Sequence, residues 1–227
     1  MTNIPALIMA SLGIKQAFLC ILMLLGVALP MRAQEMNFLY DGDLLFCCTD
    51  TANAITDVTT GVEGLSIDHV AVVYRVADED ESLYVIEAVK PVVKITPIDT
   101  FMYENPRLLV ARVNVDVDIK ESVKRCLEMV GKPYDDLYLP GDSAIYCSEL
   151  VQLNFVNHQG ILVFNPVPMS FHDATGEITQ YWQEFYRGRG MTVPEGAPGT
   201  NPGELSRRQQ LTIIGSLTKN ELDFKSP

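Results

Sequence analysis

The chain reads as an α+β domain built on an antiparallel sheet, and three observations carry that expectation. Short apolar runs rich in β-branched residues follow one another between Leu44 and Val115 with only turns or loops between them. Helical periodicity appears afterwards, over about 118–131, 146–157 and 178–187. Strands first and helices later is the order of an α+β layer arrangement, not of alternating βαβ units.

Each element follows from its residues. Leu44 to Cys48, after Gly42-Asp43, is a short apolar run set off by a turn, as in a buried strand. The Thr-, Asp- and Gly-rich stretch Thr49 to Ser66 reads as loop or short irregular helix. His69 to Val76 is valine-rich with weak alternation, which predicts a strand covered on both faces. An acidic turn, Ala77 to Ser82, leads into the strand Leu83 to Val89, and Val92 to Ile95 extends the meander beyond Pro91 before a further strand at Leu108 to Val115.

Asp118 with Glu121 forms a capping-box pattern, and Ile119, Val123, Cys126, Leu127 and Val130 share one helical face before Gly131. A polar loop, Lys132 to Ala144, precedes a helix over Tyr146–Asn157, with Asp142 or Ser143 as its expected cap. A last helix, Ile178 to Arg187, holds the only tryptophan, Trp182. From Gly188 the sequence turns Gly- and Pro-rich and reads as a tail that wraps or caps the domain, with one apolar patch at Leu211 to Leu217.

The first 33 residues have the pattern of an export signal: a weakly basic start, the apolar run Ala17 to Leu29, and small Ala33, with cleavage expected after Ala33 or Gln34. A retained anchor is the competing reading, although the apolar core is short of the roughly 20 residues that cross a bilayer. Cys20 lacks the small preceding residues of a lipoprotein site. Cleavage leaves residues 34–227 as a single domain and moves the formal charge from −12 to −14, because Lys15 and Arg32 depart with no acidic residue. That surface disfavours nucleic acid and anionic lipid, so neither nucleic-acid binding nor stable membrane insertion is expected, and an exported, periplasmic or envelope location is.

Of the cysteines, Cys47, Cys48, Cys126 and Cys147 remain after cleavage. Adjacent strand residues point to opposite faces, so Cys47 and Cys48 do not pair with each other; free thiols are expected, a bridge to Cys126 being the alternative. Cys147 stands where the polar loop gives way to the helix, a placement that lowers thiol pKa values through the helix N-terminus. A cysteine hydrolase also needs an imidazole and a group that fixes its tautomer. His158 and His172 lie at a helix end and in a loop, whereas His69 opens a strand and is the candidate base. Glu87, inside the apolar strand, is the candidate orienting acid, facing His69 only if the hairpin register has the right parity; otherwise it is an outward carboxylate. The three separated histidines have no zinc spacing and no glycine-rich phosphate loop is present, so no metal or other cofactor is expected.

The motifs Gly42-Asp-Leu-Leu-Phe46, Asp68-His-Val-Ala-Val-Val-Tyr74, Ile86-Glu-Ala88, Gly131-Lys-Pro-Tyr-Asp135 and Tyr146-Cys-Ser-Glu-Leu-Val151, in that order, resemble the YiiX-like permuted papain-fold cysteine peptidases of the NlpC superfamily. Pro198 to Glu204 is similar to the C-terminal segment of that group. The resemblance implies a circularly permuted papain-like fold in which the histidine and acid strands precede the cysteine helix. It implies Cys147 as nucleophile, His69 as base, Glu87 as orienting acid and the Cys147 N–H as an oxyanion donor, with Tyr146, Glu149 and Asp135 lining the cleft and binding substrate. Its implied activity is cleavage of an amide in a cell-wall stem peptide or another small peptide or isopeptide, through a thioacyl-enzyme. Acyl transfer or lipid deacylation by the same superfamily, and an inactive module that binds an envelope ligand, are the rival readings.

Overall fold

The computed structural model describes residues 36, 38–76, 82–141 and 143–218; the export-signal stretch 1–33 and most of the acidic turn lie outside them. The described residues from Leu39 to Thr218 form one compact unit. Its centre is a six-stranded antiparallel sheet of β1 (Leu44–Cys48), β2 (Ile67–Arg75), β3 (Leu83–Ala88), β4 (Val93–Pro97), β5 (Arg107–Val113) and β8 (Leu211–Thr218), in the order β4-β3-β2-β1-β5-β8. The helices are α1 (Ile98–Glu104), α2 (Ile119–Glu128), α3 (Cys147–Asn154), α4 (Gln180–Arg187) and α5 (Pro202–Ser206), and β6 (Val167–Pro168) pairs with β7 (Pro198–Gly199) in a small ribbon. The fold is α+β with an antiparallel sheet, as the sequence predicts.

The valine run of β2 is covered on both faces: Val70, Ala71, Val72 and Val73 are all buried. Helix α3 packs on β2 and β3, so Val70, Val72 and Ile86 meet Leu150 and Val151 in the main core. Each such fully buried aliphatic side chain stabilises the fold by about 1.5–3 kcal/mol relative to exposure. Asp43, in the Gly-Asp turn before β1, is buried and accepts two 2.7 Å hydrogen bonds from Arg112, which ties β1 to β5.

Helix α2 begins as expected, with the Asp118 carboxylate accepting from the Glu121 N–H at 3.0 Å. The reciprocal half of the capping box is absent, because the Asp118 N–H donates to the Val156 carbonyl and Glu121 pairs with Lys124. Helix α3 is shorter than the predicted 146–157: it ends at Asn154, and Phe155 turns extended so that Val156 can bridge Leu162 across a turn organised by Asn157. Ser143 does not cap it, and Asp142 lies outside the described residues; the N-cap is Tyr146, without a side-chain cap.

The largest departure is after Gly188. The apolar patch Leu211–Leu217 is not surface wrapping but strand β8, which pairs along the whole length of β5 and forms one edge of the sheet. Among the described residues no helix is long and apolar enough to cross a membrane.

Candidate active site

Three neighbouring strands and one helix N-terminus converge on His69. β1 and β2 are in register except for a bulge at Cys47/Cys48, where Asp68 is the extra residue, since Cys48 pairs with Ile67 and Cys47 with His69. A bulge of this kind re-aims the side chains beside it. The β2–β3 register, with Val72 opposite Ile86, sets Glu87 across from Ala71 and on the face that also carries His69. The Glu87 Oε2 then lies 2.9 Å from the His69 Nε2. On β4, Lys94 is directly opposite Glu87 and Thr96 lies on the same face; the Thr96 hydroxyl donates to Glu87 Oε1 at 2.5 Å and the Lys94 Nζ lies 3.5 Å from it.

Glu87 is thus a buried carboxylate, 2 % exposed, held by a ring nitrogen, a hydroxyl and an ammonium group. Burial alone drives its pKa up, but the hydrogen bonds from His69 and Thr96, together with the charges of His69 and Lys94, outweigh it and leave the pKa below the ordinary value. For His69 burial disfavours the charged ring, yet the Cys147 sulfur and the Glu87 carboxylate reverse this and push its pKa up to about 10. With Nε2 committed to Glu87, Nδ1 is the nitrogen left for the sulfur. Phe101 of α1 covers the ring, its centroid 6.2 Å away.

Cys147 is the first residue of α3 and is 5 % exposed. Because no side chain caps this helix, its first-turn N–H groups are not taken up by a capping oxygen and stand beside the sulfur. The other described cysteines suit a nucleophile poorly, although all are free thiols. Cys126 is fully buried, and burial pushes its thiol well up. Cys47 faces His69 across the β1–β2 pair, but burial, then the charges of Asp68 and Glu87, raise its pKa far above the ordinary thiol range.

A small pocket of about 50 Å³ opens on Cys147. Tyr134, Tyr138, Tyr146, Phe171 and Trp182 form its aromatic wall, with Tyr138 at 5.3 Å from Tyr146 and 5.5 Å from Trp182 between centroids. Tyr146, predicted for the cleft, does line it, and its hydroxyl accepts from the Thr200 N–H at 3.1 Å. Gly199 permits that approach, since a Cβ there would fall 2.5 Å from the Met169 sulfur and 3.0 Å from the Tyr146 hydroxyl. The other two predicted substrate contacts are elsewhere. Asp135 turns into its own loop, accepting from the Leu137 and Leu139 N–H groups at 2.8 Å each, and Glu149 is buried in the first turn of α3 outside the pocket lining. The wall residues Met169, Ser170, Phe171, Thr200, Asn201 and Pro202 went unforeseen, because only the tertiary return of the chain brings them to Cys147. The signal within reach was the motif Pro198 to Glu204, whose glycines mark a close approach.

Among the described residues no group of three or more His, Cys, Asp or Glu side chains could hold a metal ion. The sequence profile of the family described as permuted papain-like amidase enzyme, YaeF/YiiX, C92, matches residues 39–215. A solved structure titled metalloprotein yiiX from Escherichia coli O157:H7 superposes with a TM-score of 0.60 at 22 % identity, over 77 % of this chain and 96 % of that one. No curated protein matches the chain.

Proposed function

The chain belongs to the permuted papain-like amidase family, which makes it a cysteine peptidase/amidase-type hydrolase, and from that premise we propose that Cys147, His69 and Glu87 carry amide cleavage through a thioacyl-enzyme. The observations that support these roles are the hydrogen bonds linking Thr96, Glu87 and His69, and the Cys147 sulfur, which helps raise the His69 pKa from its place at an uncapped helix N-terminus.

In the first step the Cys147 thiol gives its proton to His69 Nδ1 as the sulfur attacks the amide carbon, and the C–O π electrons move onto oxygen, which the Cys147 backbone N–H stabilises. One such donor is worth about 2.7–4 kcal/mol of transition-state stabilisation. Collapse of the intermediate breaks the C–N bond while the His69 Nδ1–H protonates the departing amine. In the second step neutral His69 takes a proton from water as its oxygen attacks the thioester, and when the C–S bond breaks His69 returns that proton to the sulfur, so the carboxylic acid leaves and the thiol is restored. Glu87 holds the ring through Nε2, fixing the tautomer that presents Nδ1 to the sulfur and stabilising the imidazolium.

The substrate we propose is a cell-wall stem peptide or another small peptide or isopeptide, met outside the cytoplasm after removal of residues 1–33. Acyl transfer is the second reading, and the aromatic wall of the pocket, which suits an apolar acyl group, is the observation in its favour. Incubating the purified chain with isolated stem peptides and acyl-amide substrates, with and without a competing amine acceptor, separates hydrolysis from transfer. Cys147→Ala and His69→Ala are expected to abolish both while leaving the circular-dichroism spectrum unchanged. Undiminished turnover by Cys147→Ala removes the proposal.

A further inference from the structure

The two oxygens of Glu87 serve different neighbours. Oε2 meets the His69 Nε2 at 2.9 Å, while Oε1 accepts from the Thr96 hydroxyl at 2.5 Å and has the Lys94 Nζ 3.5 Å away. Lys94 and Thr96 both come from β4, an edge strand of the sheet, where Lys94 stands opposite Glu87 and Thr96 two positions along on the same face. One strand thus presents two donors to one oxygen. Thr96 is buried, whereas the Lys94 side chain keeps 44 % of its surface in water.

What these donors do depends on the charge of the sulfur. The titratable groups about the ring are Glu87 from β3, Cys147 from α3, Cys47 opposite it on β1, and Asp68 beside it in the chain, which accepts from Asn53. Phe101 of α1 adds no charge, and the phenols of Tyr134 and Tyr138 lie close enough to Cys147 to feel its charge. In the free enzyme the sulfur and Glu87 together hold the imidazolium. In a thioacyl-enzyme the sulfur carries no charge, and Glu87 remains as the anion bound to the ring. The ring must then be neutral to take a proton from water, and a base works best when it titrates near the working pH. A buried carboxylate with nothing on its far oxygen would hold the imidazolium and hinder that step. A cation and a hydroxyl dipole aimed at the far oxygen oppose this, because each places positive charge toward the ring.

We propose that Lys94 and Thr96 are positioning residues that temper Glu87: by occupying Oε1 they leave Oε2 to orient the ring, and they keep the neutral imidazole available for the attack of water on the acyl-enzyme. This rests on the thioacyl reading for its catalytic meaning, whereas the electrostatic effect exists without turnover.

Cys147→Ser gives the ring an uncharged neighbour, as acylation would, and nitrogen-15 NMR reads the His69 midpoint in that background. Lys94→Met should raise the midpoint by about 0.5, the worth of one partly exposed charge, and Lys94→Arg should restore it. Thr96→Val should raise it as well, with Thr96→Ser restoring it. The sign is decisive, because residues that merely braced Glu87 would on removal loosen the carboxylate and lower the midpoint. A lowered or unmoved midpoint in Lys94→Met or Thr96→Val overturns the proposal. With Cys147 in place, p-nitrophenyl acetate separates the two half-reactions. Steady release of p-nitrophenolate at neutral pH should fall by up to about threefold in Lys94→Met and recover as the pH rises, with the initial burst unchanged; equal slowing of both phases also overturns the proposal. Release by the wild type no faster than by Cys147→Ala would sink the thioacyl reading instead, and the NMR midpoints would still decide what β4 does to Glu87.

Discussion

Replacing Glu87 by Gln tests what holds the imidazole charged. The substitution keeps the shape of the side chain, and the Thr96 hydroxyl, now 2.5 Å from Glu87 Oε1, can rotate to accept from the new amide N–H while the amide oxygen still accepts from His69 Nε2. What disappears is the negative charge beside the ring. A hydrogen bond to a charged group contributes about 1.5–3 kcal/mol, and one pKa unit corresponds to about 1.4 kcal/mol, so the loss translates into roughly one to two units. Because the Cys147 sulfur still supports the imidazolium, the ring does not return to its ordinary value. Nitrogen-15 NMR of the imidazoles reads this directly, since the chain has only three histidines. The His69 midpoint, about 10 in the wild type, should fall by one to two units in Glu87→Gln. An unmoved or raised midpoint refutes the electrostatic account of the site.

The same groups set how stability depends on pH. His69 is raised, so its contribution is fully present below its ordinary pKa of 6.5 and is lost as pH rises toward about 10. Glu87 is lowered, so its contribution is present above the ordinary carboxylate value and is lost as pH falls through the depressed one; urea midpoints of Glu87→Gln should therefore vary less with acidification than those of the wild type. Asp43→Asn removes the charge from a paired, buried carboxylate and should cost about 2 kcal/mol in urea unfolding, discounted because Arg112 stays partly in water; a loss below half that value would show the tie between β1 and β5 to be dispensable. Truncation after Arg187 deletes β8 and the Thr200 wall, so it should abolish cooperative thermal unfolding and not merely open the cleft; a folded truncated chain with faster turnover on long peptides would contradict that.

Much of the core site was legible because its logic is local. A thiol where a polar loop becomes a helix, a histidine at the start of a valine-rich strand, and a carboxylate in the middle of an apolar one are each unusual placements, and strand parity sufficed to state the condition under which Glu87 faces His69. The actual register needed the structure, as did the Asp68 bulge. Asp135 and Glu149 do not line the aromatic pocket, because a motif fixes a residue's place in the chain and not the direction of its side chain: one closes its own loop and the other is buried in the first turn of α3. Strand β8 was hidden because Leu211–Leu217 follows a Gly- and Pro-rich stretch and gains meaning only from its partner β5, about a hundred positions earlier.

The central claim is that the Cys147 sulfur, served by His69, takes the acyl group from an amide. Acid-quenching the enzyme during turnover and mapping the acyl group by peptide mass spectrometry tests it most directly. The account predicts a thioester on Cys147 that is absent from Cys147→Ala and does not form in His69→Ala. Turnover with the acyl group on Cys47 or Cys48, or continued hydrolysis without Cys147, contradicts it.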